Sequence, residues 1–236
     1  MNRLSSSRLW PVVLLLIAGW LVSAPLLVAQ EGDDEGVPPD ERVVIVYEEP
    51  RHRLVVDGGE YKVLDVQILP GDTTLWHRHD SPILYTFINT GDGSVDGRTS
   101  ANLDYLEEPL VHEVTNDGDE RFRIIAMASY LPARSDDGPP APRGIDEEPQ
   151  LLNPWFRSYR LNLEPGETTD VHQHENPAII IQVTDGEAEV VRDNGFGDKL
   201  YAQGEFSFQD PGGTYRVHNA GDQPVGVVVS EVRKFQ

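Results

Sequence analysis

The stretch PGDTTLWHRHDSPILYTFINTG (70–91) lies over PGETTDVHQHENPAIIIQVTDG (165–186) with no gap and a constant offset of 95 residues. The leading Pro-Gly, both threonines, both histidines, the following Pro and the final Gly coincide. Farther along, VTNDGD (114–119) corresponds to VHNAGD (217–222). A repeat of this kind implies two copies of one structural unit. It does not by itself assign both copies the same role.

Around these stretches the chain reads as short β-rich runs bounded by turn dipeptides. The expected strands are 43–47, 53–56, 61–69, 83–88, 121–128, 155–163, 178–183, 188–191, 205–208, 214–217 and 225–232. Between 61 and 68, Tyr61, Val63, Asp65 and Gln67 alternate with Lys62, Leu64, Val66 and Ile68, the period of a strand. Pro70-Gly71, Pro165-Gly166, Asp185-Gly186 and Asn194-Gly195 supply turn chemistry. Outside the first thirty residues no segment carries a sustained helical period. The expectation is an all-β fold, a sandwich or a barrel.

Composition narrows the chemistry. The 236 residues hold no cysteine, which excludes disulfides, thiolate zinc sites, iron–sulfur clusters and thiol nucleophiles. A formal charge of −21 argues against nucleic acid and anionic lipid as partners, since both repel an acidic protein. A hydrophobic fraction of 39% suffices for a buried core.

Residues 1–30 read as a signal peptide, with Arg3 and Arg8 before the uncharged run Trp10–Ala29. An uncleaved anchor is the alternative, because about 20 apolar residues just span a bilayer. The expected location is therefore periplasmic or secreted, or membrane-attached if the segment is retained. Residues 31–42 form an acidic lead-in, and the Pro-, Gly- and acid-rich residues 132–149 read as a linker. The two units would then span 43–131 and 150–236.

His77 and His79 stand at i and i+2, as do His172 and His174. On a strand that spacing turns both imidazoles to one face, where they can share an ion. A third donor must come from another strand. His112 is available in the first unit, whereas the equivalent position in the second is Tyr215. His218, three residues on, reads as solvent-facing. Asp80 and Glu175 follow the pairs and would reach the site only through a bulge. Asp92-x-Ser94-x-Asp96-Gly97 imitates the start of a calcium-binding loop, but its twelfth residue is Leu103 and no helices flank it. It reads as a turn or loop.

Gly71-x5-His77-x-His79 followed by Gly91, and Gly166-x5-His172-x-His174 followed by Gly186, resemble the first motif of cupins. Pro109-x-x-His112-x3-Asn116 resembles the second more loosely. The resemblance covers 43–236 and implies a bicupin: two tandem jelly-roll barrels of the double-stranded β-helix type. It also implies ligation of Fe, Mn, Zn or Ni by three His and one Glu. The chain departs from that set, because the glutamate seven residues before the closing Gly is replaced by Leu84 and Ile179. The metal ligands expected are His77, His79 and His112, with a weaker remnant at His172 and His174.

Three functions fit this reading. The first is an exported bicupin that binds a divalent metal, a small anionic or polar ligand, or both, in its first barrel, the second being degenerate. The second is a metal-dependent dioxygenase or isomerase. The third is a structural or homo-oligomerising barrel pair without a small-molecule site. Nothing in the sequence names a catalytic residue, so whether it is an enzyme stays open.

Overall fold

The computed structural model describes residues 42–134 and 142–233. The signal segment and nearly all of the acidic lead-in lie outside the described residues, as does the middle of the linker. No described helix is long and apolar enough to cross a membrane.

The described chain is all-β, apart from two short 3-10 turns at Val46–Glu48 and Asp104–Leu106. The first eight strands are β1 (Val44–Ile45), β2 (His52–Asp57), β3 (Tyr61–Ile68), β4 (His77–His79), β5 (Ile83–Thr90), β6 (Ser94–Asn102), β7 (Leu110–His112) and β8 (Phe122–Ser129). They form a five-stranded sheet in the order β2-β3-β8-β5-β6 and a three-stranded sheet β1-β4-β7. The next nine are β9 (Leu151–Leu152), β10 (Phe156–Leu163), β11 (His172–Gln173), β12 (Ala178–Gln182), β13 (Ala188–Arg192), β14 (Gly197–Leu200), β15 (Phe206–Gln209), β16 (Thr214–Asn219) and β17 (Val225–Val232). These make a five-stranded sheet β15-β12-β17-β10-β9 and a four-stranded sheet β11-β16-β13-β14. The trio β3-β8-β5 in one half matches β10-β17-β12 in the other. No sheet mixes strands of the two halves. The pattern is that of cupin-type jelly rolls.

Every sequence-expected run contains a strand. Val43–Tyr47 is the most altered, since only two residues pair before the chain turns. The segment expected to be a turn or loop at 92–103 contains a nine-residue strand, β6. Its polar residues hid it: one edge faces solvent, so no apolar alternation is needed.

The central strands are apolar on both faces. On β3, Leu64, Val66 and Ile68 fill the interior of the first half with Ile83, Ile124, Ala126 and Ala128, whereas Tyr61 and Val63 point the other way. On β10, β12 and β17, Tyr159, Leu161, Ile180, Val227 and Val229 fill the second interior. Between the halves, Val63, Leu84, Ile125 and Met127 meet Phe156, Ile179, Ile181, Val228 and Val232 in one buried cluster. Polar contacts rim it. Arg123, ion-paired to Asp65, donates to the carbonyls of Gln203 and Gly204 at 3.0 and 2.8 Å. Trp155 Nε1 donates to the Leu131 carbonyl at 2.9 Å. Within the stretch read as a linker, Ile145 is buried in the second interior and Arg143 bridges to Gln173.

The repeated Asn explains much of the sequence repeat. Asn116 Nδ2 donates to the carbonyls of Ile68 and Glu120, and Asn219 Nδ2 to those of Leu163 and Gln223, each at 2.8–2.9 Å. The carbonyl of each Asn receives the backbone N–H of Gly71 or Gly166. Thr74 and Thr169 accept from Val114 N and Val217 N. Gly91 must be Gly: its φ is +92° and a Cβ there would lie 2.5 Å from the Asn116 side chain.

Leu84 therefore does not occupy a missing ligand position. It is 1% exposed and packs between the halves, while its neighbour Ile83 faces the first interior. Ile179 lies likewise between the halves. Leu84→Glu should place an unpaired carboxylate in that cluster, at a cost of several kcal/mol. The melting temperature should fall by roughly 10 °C, and added Mn²⁺ or Zn²⁺ should recover none of it. A metal-dependent recovery in thermal melts would return residue 84 to the histidines.

Candidate metal centre

Backbone pairing assembles the histidines. β4 and β7 run antiparallel with His77 directly opposite His112 and His79 opposite Leu110. His77 and His79 share a face by the strand period, so three imidazoles converge. Their ligand nitrogens all lie within 4.8 Å of one another. Ring centroids are 4.5 Å apart for His77–His112 and 5.1 Å for both His77–His79 and His79–His112. His77 and His79 are buried, and His112 is half-buried.

The tautomer of His77 follows from its partner. Nδ1 lies 2.8 Å from the Leu75 carbonyl, which only accepts, so Nδ1 carries the proton and Nε2 presents a lone pair. The Nε2 atoms of His77 and His112 are buried without hydrogen-bond partners in the described structure. Buried polar atoms without partners are costly, and a cation among them would satisfy the lone pairs. The donor set thus suits a divalent transition metal.

Burial above all, with the charges of His52 and His112, pushes His77 down to about 3. Burial and then His52 push His112 down to about 4. Burial and the other three rings push His79 well below the usual imidazole range. These rings stay neutral, as ligation requires, well below the ordinary pKa near 6.5.

Two residues that sequence reading did not single out complete the surroundings. His52, on β2, is buried with its ring centroid 4.5 Å from His77 and 6.5 Å from His79. Its Nδ1 donates to Glu49 Oε2 at 2.8 Å. Glu49 is also buried and accepts from the backbone N–H groups of Arg51, His52 and Leu75. Burial alone would raise its pKa, but the bonds from His52, Leu75 and Arg51 outweigh it and hold the carboxyl at about 2. No motif marks this pair; proximity of β2 to β4 makes it. On another side Tyr105 lies 5.0 Å from His79, ring to ring. Asp80 pairs loosely with Arg78 and Glu175 is exposed; neither joins the three-His group.

The second half keeps the geometry and changes the chemistry. Tyr215 pairs directly with His172, as His112 does with His77. Its hydroxyl lies 2.7 Å from His174 Nε2, and His174 Nδ1 lies 2.5 Å from Glu231 Oε1. Glu231 is ion-paired to Arg157 at 2.7 Å, and all four residues are buried. Both nitrogens of His174 are therefore engaged. His218 is half-buried on β16, opposite Glu189 of β13, and its ring bonds Thr168 and the Glu167 carbonyl.

Residues 159–231 match the family model described as Cupin domain. This segment is similar to a cupin domain over 73 of the 236 residues. It lies wholly in the half that carries Tyr215, not in the half with three histidines. Among solved structures, AerE from Microcystis aeruginosa is similar over 75% of this chain and 90% of its own, at 10% identity and a TM-score of 0.52, a likeness of fold alone. A Cupin 2 conserved barrel domain protein from Leptotrichia buccalis matches over 76% and 87% at 11% identity with a TM-score of 0.45. A cupin domain from Bordetella pertussis matches over 42% and 99% at 19% identity with a TM-score of 0.33. The search of curated proteins found no match.

The depressed pKa values predict acid sensitivity with a definite sign. Between about pH 6.5, where unfolded histidines titrate, and about pH 4, where folded His112 does, the unfolded chain binds more protons. Stability of the metal-free protein should be full above that window and fall as pH is lowered through it. Urea unfolding at intervals from pH 7 to 4 should show this slope. It should be shallower in His77→Gln/His112→Gln; an equal slope would assign it to other groups.

Proposed function

We propose that this protein is an exported bicupin whose first barrel, residues 43–131, binds a divalent metal through His77, His79 and His112, and whose second barrel, residues 150–236, has lost that capacity. The observation that carries the reading is the pair of buried, unpartnered Nε2 atoms on His77 and His112 within a cluster of three neutral imidazoles. Export rests on the N-terminal apolar run that follows Arg3 and Arg8.

A bound divalent ion would supply Lewis acidity, and three uncharged donors would leave its charge undiminished. A small anionic ligand would complete the shell. The protein's own residues prepare for this. Leu75 orients His77 through Nδ1, the β4–β7 register fixes His112 opposite it, and burial keeps all three rings unprotonated. In the second barrel, the Tyr215 hydroxyl and the Glu231 carboxylate take the hydrogen-bonding capacity of His174, which supports a structural role there.

Protein purified without a histidine tag should carry or take up about one divalent ion per chain. His112→Ala should abolish this uptake, measured by elemental analysis after dialysis, and Tyr215→Ala should leave it unchanged. Metal that follows Tyr215 rather than His112 would move the site to the second barrel. No uptake by the unaltered protein would leave the barrel pair as a scaffold.

A further inference from the structure

His52 lines the same space as the three histidines yet stands apart from them. Its ring is as close to that of His77 as His112 is, at 4.5 Å, but its nitrogens do not belong to the set that lies within 4.8 Å of one another. It cannot swing in freely. Nδ1 is tied to Glu49, and Glu49 is anchored by the backbone N–H groups of Arg51, His52 and Leu75. The carboxylate only accepts, so Nδ1 carries the proton and the Nε2 of the neutral ring is an acceptor. No hydrogen bond to that atom is found among the described residues. A charge on His52 would be felt by His77, His79 and His112 alike, which puts the ring at the edge of the centre they form.

We propose that His52, held by Glu49, is a positioning residue that accepts a hydrogen bond from a protic group on the ligand bound at the three-His centre. The ligand class that follows is an α-hydroxy carboxylate. Its carboxylate supplies the negative charge that three neutral imidazoles leave unmatched. Its hydroxyl, coordinated beside the carboxylate, becomes a strong donor because the ion withdraws charge from it. An ether in the same place offers the ion the same oxygens but gives His52 nothing to accept. The inference rests on the metal-binding reading above and adds to it a rule for which anions bind.

The test uses full-length protein loaded with Co²⁺, whose visible absorption reports both metal and ligand binding. The probes are glycolate and methoxyacetate, in which a methyl group replaces the hydroxyl proton. The unaltered protein should prefer glycolate by about tenfold. His52→Phe should bind Co²⁺ within about threefold of the unaltered protein and lose the preference. His52→Gln, which restores an acceptor, should recover part of it. Glu49→Gln keeps the ring but loosens its orientation and should weaken the preference severalfold; it carries the test if His52→Phe fails to fold. Cobalt binding without a glycolate preference in the unaltered protein would overturn this inference alone. So would a preference retained in His52→Phe. Loss of cobalt from a folded His52→Phe would make His52 a ligand and overturn its positioning role. Failure of the unaltered protein to bind cobalt would remove the metal-binding reading together with this one.

Discussion

The face-to-face packing of the two five-stranded sheets governs the rest of the architecture. Their central strands carry apolar side chains on both faces, so each must be covered twice: from inside its own half and from the opposite half. Val63 and Leu64, adjacent on β3, serve different cores, as do Ile179 and Ile180 on β12. Neither half could bury both faces of its large sheet alone. The hydrophobic effect therefore joins the halves, and the Arg123 and Trp155 contacts at the rim add direction to a contact that apolar surface alone would leave less specific.

That arrangement leaves the smaller sheets away from the contact, and the histidines lie on them. β4 and β7 need only three residues each, because their task is to bring His77 opposite His112 while His79 shares the face. Burial does the remaining work. It removes water that would otherwise satisfy the imidazole nitrogens, and it disfavours protonation. The outcome is a set of lone pairs with a strong need for a cation and little tendency to take a proton.

The second half meets the same problem of buried imidazoles in another way. Tyr215 occupies the strand position of His112 and Glu231 approaches from β17, so His174 is satisfied by hydrogen bonds on both sides. Arg157 balances the carboxylate. A complete polar network can stay buried without a metal. One repeat has thus produced two arrangements: the Nε2 atoms of His77 and His112 stay open in the first copy, whereas in the second both nitrogens of His174 are closed by side chains and Nδ1 of His172 stays without a partner.

Much of this was legible in the sequence. The period of two in the strands, the 95-residue repeat and the His-x-His pairs implied an all-β fold with two related halves; strand geometry, in which i and i+2 share a face, named His77 and His79, and the looser likeness around Pro109–Asn116 added His112 as the donor from another strand. Other features were not legible, for reasons of the same geometry. Leu84 and its equivalent Ile179 both face the other half, because a position counted along a motif does not say which face of its sheet looks inward. β6 was hidden because an edge strand needs no apolar alternation. His52 and Glu49 carry no motif and come from a segment whose approach to β4 depends on the packing of the whole first half. Sequence determined which side chains share a strand face, a local property of the backbone. Only the tertiary structure decided which face looks inward and which distant groups meet there, because those depend on how entire sheets are covered.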